Sequence, residues 1–497
     1  MGIIIKQSLK YSFINYIAVL IGVISTVFIY PLDKQVYGLF RFLIDTSYLL
    51  VPAVLIGTPA LSVKFFPVFK GNKHKEGEFI TQLYKLALIG FILVCLVIFA
   101  FRKPIIDYYG QKPERQYIEY LWFVIPFLFA NAVFGLSRQI VANYGKIVWP
   151  SALEGSIKIV FPALFLAYYW HYIHLDWVIM GVGIFLFTIM GLSLWYVMKS
   201  GAVKLKLPKT TTWGIEKREF YRYAAYFTLG SAGAIIATRI DTFMVASMID
   251  LNRTGIYSIA ALVALNIGIP INAVTAISAP IISQAISVNN WKEVEKIYKK
   301  SSITLLVAGC FLFLLVWVNL DDLFGLMPDN DEMIAHKDIV LLLAVAKLFD
   351  MATGVNDSIT AYSGHYKLNF YSLLLLAILN IVGNLLLIPQ YGLLGAAISP
   401  MIASVIFNHV KLVYIKWAFN MYPFTFKTFV LILISVAAYI LLYFVPDFEN
   451  HFINLCINSA LLAAIFVPAI YFSKISEDVN SILDNIISKA LKLLKLK

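Results

Sequence analysis

The sequence predicts an all-α polytopic membrane protein built on an internal duplication. Hydrophobic residues make up 60% of its 497 positions and charged residues only 14%. Mean hydropathy is +0.81, whereas a soluble protein is roughly 45–50% apolar. The apolar residues fall in runs of about 20, the length that crosses a bilayer core as a helix. One pattern also occurs twice. Residues 37–52 read YGLFRFLIDTSYLLVP and residues 254–270 read TGIYSIAALVALNIGIP, so glycine, aromatic, apolar run and proline recur about 217 positions on. A second pair agrees: VFGLSRQIVANYGK at 133–146 parallels ATGVNDSITAYSGHYK at 352–367 and sets Gly135 and Gly145 opposite Gly354 and Gly364. A duplicated chain of membrane spans with no soluble domain is most often a transporter whose site lies between the halves.

Fourteen candidate spans follow in order: 11–31, 38–66, 81–101, 117–140, 147–170, 174–198, 222–247, 254–286, 301–320, 337–362, 367–389, 393–417, 425–445 and 452–472. The first follows Lys6 and Lys10. It is too long for a signal-peptide core and no small-x-small cleavage site follows, so it reads as an uncleaved span. The runs 38–66 and 254–286 are long, and each holds a central proline, Pro52 or Pro270. Proline removes a backbone donor in mid-helix, so this pair is the candidate hinge. An even number of spans per copy brings the second copy in from the same side as the first, which makes the repeat parallel rather than inverted. The expected organisation is a six-helix lobe over 1–200, a linker over 201–221, a second six-helix lobe over 222–420, two additional spans within 421–473 and a tail over 474–497.

Charge sets the orientation. With the N-terminus inside, most of the 40 Lys and Arg lie on the cytoplasmic side, above all in 64–85, 199–222 and the tail, while the outside loop 321–338 is acidic. This is the positive-inside pattern, with both termini cytoplasmic. The net charge of +12 is therefore a topology signal and not a nucleic-acid signal. In the tail, Ile475, Val479, Ile482, Leu483, Ile486, Ile487, Ala490 and Leu494 recur at helical spacing, with Lys489, Lys492, Lys495 and Lys497 near the end. The tail reads either as an amphipathic helix on the inner leaflet or as a solvated helix packed on cytoplasmic loops. Cys95, Cys310 and Cys456 each lie in an apolar run and are expected as buried free thiols.

The motif YGLLGAAIS at 391–399, which opens a span after a short turn, resembles the signature of prokaryotic polysaccharide transporters. So do TGIYSIA at 254–260 and YGLFRF at 37–42, and WVIMGVGIF at 177–185 is a worn copy with Gly181 opposite Gly395. In order and spacing, residues 1–420 resemble the polysaccharide transporter and O-antigen flippase family of the multidrug/oligosaccharidyl-lipid/polysaccharide exporter superfamily. The resemblance implies two lobes forming a V that opens alternately to each side. It implies a flippase for undecaprenyl-pyrophosphate-linked oligosaccharide, a precursor of O-antigen of lipopolysaccharide, capsule or exopolysaccharide, in the bacterial inner membrane. Glycan polymerase and ligase machinery would be its neighbours. Two alternatives remain within the superfamily, a multidrug or organic-cation antiporter and a lipid II flippase. A scaffold in a glycan-assembly complex is a further reading.

Charges inside spans are costly and mark functional positions. Arg41 and Asp45, Glu154 and Lys158, and Lys347 and Asp350 are spaced to pair within their own helices. Asp357 has no basic neighbour but lies near a span end, where it reaches water. Arg239 has Ile235, Ile236, Thr242 and Phe243 at three and four positions either side. It needs a partner on another helix, a lipid phosphate or an anionic substrate, and a guanidinium fork matches phosphate oxygens. Arg239 and Lys158 first, then Arg41 and Lys347, are the candidate substrate-binding residues. Asp241, Glu154, Asp350 and Asp45 are the candidates for coupling to a proton or sodium gradient. No metal-ligand spacing, phosphate loop or nucleophile elbow is present, so neither an enzyme nor a bound cofactor is expected.

Overall fold

The computed structural model describes residues 20–112, 115–146, 148–201 and 217–493. Most of the first expected span and of the linker lies outside these, as do the last four residues of the tail. The described residues form helices and connecting turns, with no strand among them. The chain divides into two compact units between Ser258 and Ile259.

The N-terminal unit holds a 3-10 turn (Tyr30–Asp33), α1 (Lys34–Leu55), α2 (Thr58–Phe69), α3 (Lys73–Ala100), α4 (Arg102–Gly110) and a 3-10 segment (Arg115–Phe123). It continues with α5 (Val124–Asn143), α6 (Val148–Tyr169), α7 (Leu175–Gly201), α8 (Lys217–Met248) and the first half of α9 (Leu251–Asn266). The C-terminal unit holds the rest of α9, α10 (Ile269–Ser287), α11 (Trp291–Val318), the short α12 (Leu320–Gly325) and α13 (Asp331–Ala335), and α14 (Asp338–Ala352). It ends with α15 (Asn356–Tyr362), α16 (Tyr366–Tyr391), α17 (Leu393–Phe419), α18 (Phe426–Tyr443), α19 (His451–Phe472) and α20 (Glu477–Leu493). The sequence repeat would place α8 at the head of the second half. In the structure α8 packs along α1, partly by stacking Phe243 on Phe42 at 5.8 Å, and so falls in the first compact unit.

Among the described residues, 12 helices are long and apolar enough to cross a membrane. Their outward faces stay apolar, with Leu93, Leu96, Leu385 and Leu386 exposed, as helices surrounded by lipid require. Exposed Trp170, Tyr172 and Trp177 cluster at the α6–α7 turn, where an aromatic belt belongs. The expected span 337–362 is not one helix, because the chain breaks between α14 and α15 and neither piece is long enough alone. All three cysteines are free, but only Cys310 is buried; Cys95 is half-buried and Cys456 is exposed on the outer face of α19.

The two long runs are also broken. Between α1 and α2, Ile56 and Gly57 both take left-handed angles, with φ of 46° and 70°. A Cβ at Gly57 would also collide with the backbone of Ala224 on α8, so only glycine fits there. Pro52 lies in the turn before this break and accepts from Ile56 N at 3.1 Å. The second break falls at Ile267 and Gly268, and Pro270 opens α10 after it, where proline's missing donor costs nothing. The two prolines flank their breaks from opposite sides.

The duplicated motifs meet in space. A Cβ built on Gly38 would overlap the carbonyl oxygen of Leu251, and one built on Gly255 would overlap that of Lys34. Each glycine thus lies against the residue four before the other, which is the reciprocity of a two-fold contact. In the second motif pair, Gly145 and Gly364 both take positive φ, 73° and 76°. Gly135 and Gly354 differ: α5 runs through Gly135, whereas Gly354 sits in the α14–α15 break with φ 63°.

Candidate functional site

In the N-terminal unit one carboxylate is shared by two arginines. Asp45 on α1 is fully buried, and Arg41, one turn earlier, places Nη2 2.7 Å from Oδ2. Arg239 reaches across from α8 and pairs through Nη1 with Oδ1. Its guanidinium also lies over the ring of Tyr48, 4.9 Å from the centroid, a favourable cation–π placement. The arginine side chains stay 21% and 33% exposed, so the carboxylate is sealed while the cations are reachable. Two positive groups on one negative leave a net positive charge. Each guanidinium carries five N–H donors, and Arg41 Nε is buried without a partner.

Arg239 therefore has its counter-ion on another helix. The expected Glu154–Lys158 pair is corrected: Glu154 turns instead to Arg138 on α5, at 2.6 Å. A guanidinium on the neighbouring helix gives the carboxylate a directional donor. Lys158 keeps a longer-range attraction to Glu154 but forms no ion pair among the described residues, and it lies beside Gly22. Asp241 accepts a hydrogen bond from the buried hydroxyl of Tyr257.

The C-terminal unit holds a second polar cluster around the α14–α15 break. Lys347 pairs with Asp350 at 2.7 Å. Asp350 Oδ1 also accepts from Ser404 Oγ at 2.8 Å and Asn408 Nδ2 at 2.7 Å, both on α17. Asn408 Oδ1 accepts from Thr353 Oγ1 at 2.9 Å, and Ser302 Oγ donates to the Ala352 carbonyl at 2.5 Å. A broken helix is tolerated at membrane depth when neighbouring side chains satisfy the freed backbone groups, and Ser302 and Thr353 do so at the carbonyls of Ala352 and Asp350.

Asp357 is exposed and also has a partner. Lys411 on α17, 1% exposed, pairs with it, while Asp357 itself is 67% exposed. Lys411 Nζ also lies 4.0 Å from the Phe407 ring centroid. The sequence signal for Lys411 was the one that singled out Arg239, since Phe407, Asn408, Tyr414 and Ile415 at three and four positions away offer no acid. Arg138 carried the same signal, with Phe134, Gly135, Val141 and Ala142 at those positions. Asp357→Asn is expected to cost about 3 kcal/mol, because it strands a buried ammonium. Lys411→Met leaves only an exposed carboxylate and is expected to cost under about 1 kcal/mol. Thermal unfolding in detergent compares them, and equal losses would refute the asymmetry.

An apolar cavity of about 600 Å³ lies between α11, α14 and α18, lined by Phe313, Trp317, Phe349 and Tyr439 among others. It offers nothing to a charged headgroup, so the charged clusters are the candidate site.

Similarity to known proteins agrees with this architecture. The family model described as "Polysaccharide biosynthesis protein" matches residues 5–286, and the MatE model matches 229–386. "Uncharacterized membrane protein MJ1375" of Methanocaldococcus jannaschii is 24% identical over 388 residues, 75% of this chain and 88% of that one. "Probable low-salt glycan biosynthesis flippase Agl15" of Haloferax volcanii is 24% identical over 206 residues, 38% of this chain and 43% of that one. Among solved structures, "Lipid II flippase MurJ, inward closed conformation" matches with a TM-score of 0.72 and 16% identity, covering 94% of this chain and 99% of that one. An inward-facing "multidrug resistance MATE family transporter of the MOP superfamily" matches with a TM-score of 0.61 and 13% identity, covering 81% and 94%. At such identities the structures establish the fold.

Proposed function

The chain belongs to the polysaccharide biosynthesis protein family, and from that premise we propose that it is a flippase for a lipid-linked oligosaccharide. The observation that carries this reading is the Arg41–Asp45–Arg239 bridge. Its cations are held in place, partly exposed and left with unused donors, which suits the phosphate or pyrophosphate that joins a glycan to its lipid. Lys158 adds a further cation in the same unit. The glycan head would cross the membrane by alternating access while the lipid chain stays in hydrocarbon. Substrate would be moved without chemical change, so the protein acts as a transporter.

Fourteen spans with both termini cytoplasmic, drive by a proton or sodium gradient, and partnership with glycan polymerase or ligase machinery extend this proposal. Asp45, Glu154, Asp241 and Asp350 are the carboxylates available for coupling. A relative whose name carries a glycan role is the Haloferax volcanii flippase Agl15, and we state the substrate's anchor as a lipid carrier and the membrane as the cytoplasmic one. A multidrug exporter of the same fold is the second reading, favoured by the MatE match. An organic cation wants an anionic site, and here every carboxylate of the N-terminal cluster is already engaged by arginine or tyrosine.

Arg239→Ala in a strain lacking the native gene provides the test. Surface glycan is expected to fall by about ten- to a hundred-fold, the loss of a hydrogen bond to a charged group, while lipid-linked glycan accumulates on the cytoplasmic face. Normal display with this variant, but none in the deletion, would remove Arg239 from the site. Normal display in the deletion itself would overturn the flippase reading and leave drug export to be tested.

A further inference from the structure

The start of α20 is fixed to the ends of spanning helices. In the turn after α19, the Lys474 carbonyl accepts from Lys427 Nζ at 2.9 Å. Ile475 and Ser476 are buried, with Ser476 Oγ 2.8 Å from Thr304 Oγ1. Asp478 pairs with Lys300 at 2.8 Å, Asn480 Nδ2 donates to the Tyr471 carbonyl at 2.9 Å, and Asp484 accepts from the Tyr471 hydroxyl at 2.7 Å. Val479 packs against the core formed by α11, α18 and α19. Beyond Asp484 these anchors stop, and residues 485–489 are exposed.

The exposed part is not polar all round. Ile482, Ile486 and Ile487 are 57%, 56% and 47% exposed. At about 100° per residue they share one stripe with Val479 and Leu483, and Ser481, Asn485 and Ser488 lie opposite. The stripe begins against the spanning helices at Val479 and runs off the protein still apolar. It is therefore turned toward the side from which the spans come, which is the bilayer. Charge divides along the helix in the same sense. Glu477 and Asp478 sit in the first turn, where they complement the helix dipole, and Asp478 and Asp484 are engaged by the protein. The sequence toward the other end carries Lys489, Lys492, Lys495 and Lys497, and Lys489 is exposed.

We propose that α20 is a membrane-surface helix whose Ile482–Ile486–Ile487 stripe docks on the leaflet in which α19 ends, with Lys489 beside anionic headgroups. An apolar stripe backed by a polar face and a basic end has the chemistry of an interfacial helix, and lysines near an anionic surface add an attraction that neutral lipid lacks. The inference rests on the membrane reading and is independent of the flippase reading.

Amide hydrogen exchange on the full chain in lipid nanodiscs tests it. Peptides over 482–489 are expected to exchange about tenfold more slowly in phosphatidylcholine discs containing about a quarter phosphatidylglycerol than in discs of phosphatidylcholine alone. The exposed double variant Ile482→Asp with Ile486→Asp should lose that protection while α19 exchanges as before. Equal exchange in the two discs overturns the proposal. So does equal protection in detergent micelles without lipid, which would mean that the stripe packs on protein or on a second copy.

Discussion

Asp45→Ala is expected to destabilise the protein by about 3–5 kcal/mol, more than the loss of either arginine that flanks it. The reason is the geometry of the bridge. Asp45 is fully buried and both of its oxygens are engaged, one by Arg41 and one by Arg239. Removing it leaves two guanidinium groups facing one vacated position, with like charges close together in a medium that screens poorly. Arg239→Ala, by contrast, leaves Asp45 paired with Arg41 and removes a side chain that is 33% exposed, so its stability cost should be about 1 kcal/mol. The two substitutions should therefore separate by phenotype. Asp45→Ala should melt early and transport little, while Arg239→Ala should fold well and still fail to transport. Inorganic pyrophosphate gives a second readout. An anion that enters between the arginines should raise the melting temperature of Asp45→Ala more than that of the parent protein, because it replaces the missing charge. Parent-like stability of Asp45→Ala would show that the bridge is dispensable, and no response to pyrophosphate in either protein would argue against an anion site.

Much of this was readable in the chain before its structure. The membrane class follows from run length and composition, since every span must close its own backbone hydrogen bonds as a helix. Pairs at helical spacing were readable for Lys347–Asp350, and for Arg41–Asp45 even though Arg239 shares that carboxylate. Spacing failed for Glu154, because Arg138 on α5 lies within reach and sequence distance carries no information about neighbouring helices. It failed for Asp357 in the same way, with its partner Lys411 54 residues away. For Arg239 the lack of a local acid correctly pointed to a partner elsewhere, but the partner proved to be a carboxylate already assigned to Arg41. Pro52 and Pro270 marked where two helices fail, yet the breaks fall at neighbouring glycines: Gly57 takes the positive φ that favours glycine, whereas Gly268 keeps a φ of -78°. The break at Gly354 was invisible because its repeat counterpart, Gly135, sits inside a continuous helix.

Gly38→Ala and Gly255→Ala are each expected to cost about 1–3 kcal/mol, the usual range for overpacking a tight contact, and together to cost less than their sum. At both positions the colliding atom is a backbone carbonyl, of Leu251 or Lys34. No side chain can swing away, so α1 and α9 must part. Small residues at helix crossings in membranes serve this close approach. Because the contact is reciprocal, the first alanine opens the same gap that the second one needs. A double-mutant cycle on thermal unfolding should therefore show a coupling of about 1 kcal/mol or more in the direction of rescue. Additive losses would mean that the two glycines act independently and that their facing positions carry no shared packing. The control is Gly135→Ala, at the matched glycine of the other motif pair, where an added Cβ meets nothing within 4 Å. There alanine raises helix propensity and is expected to leave stability unchanged or slightly higher. That contrast separates the tight crossing from a general dislike of alanine in these helices.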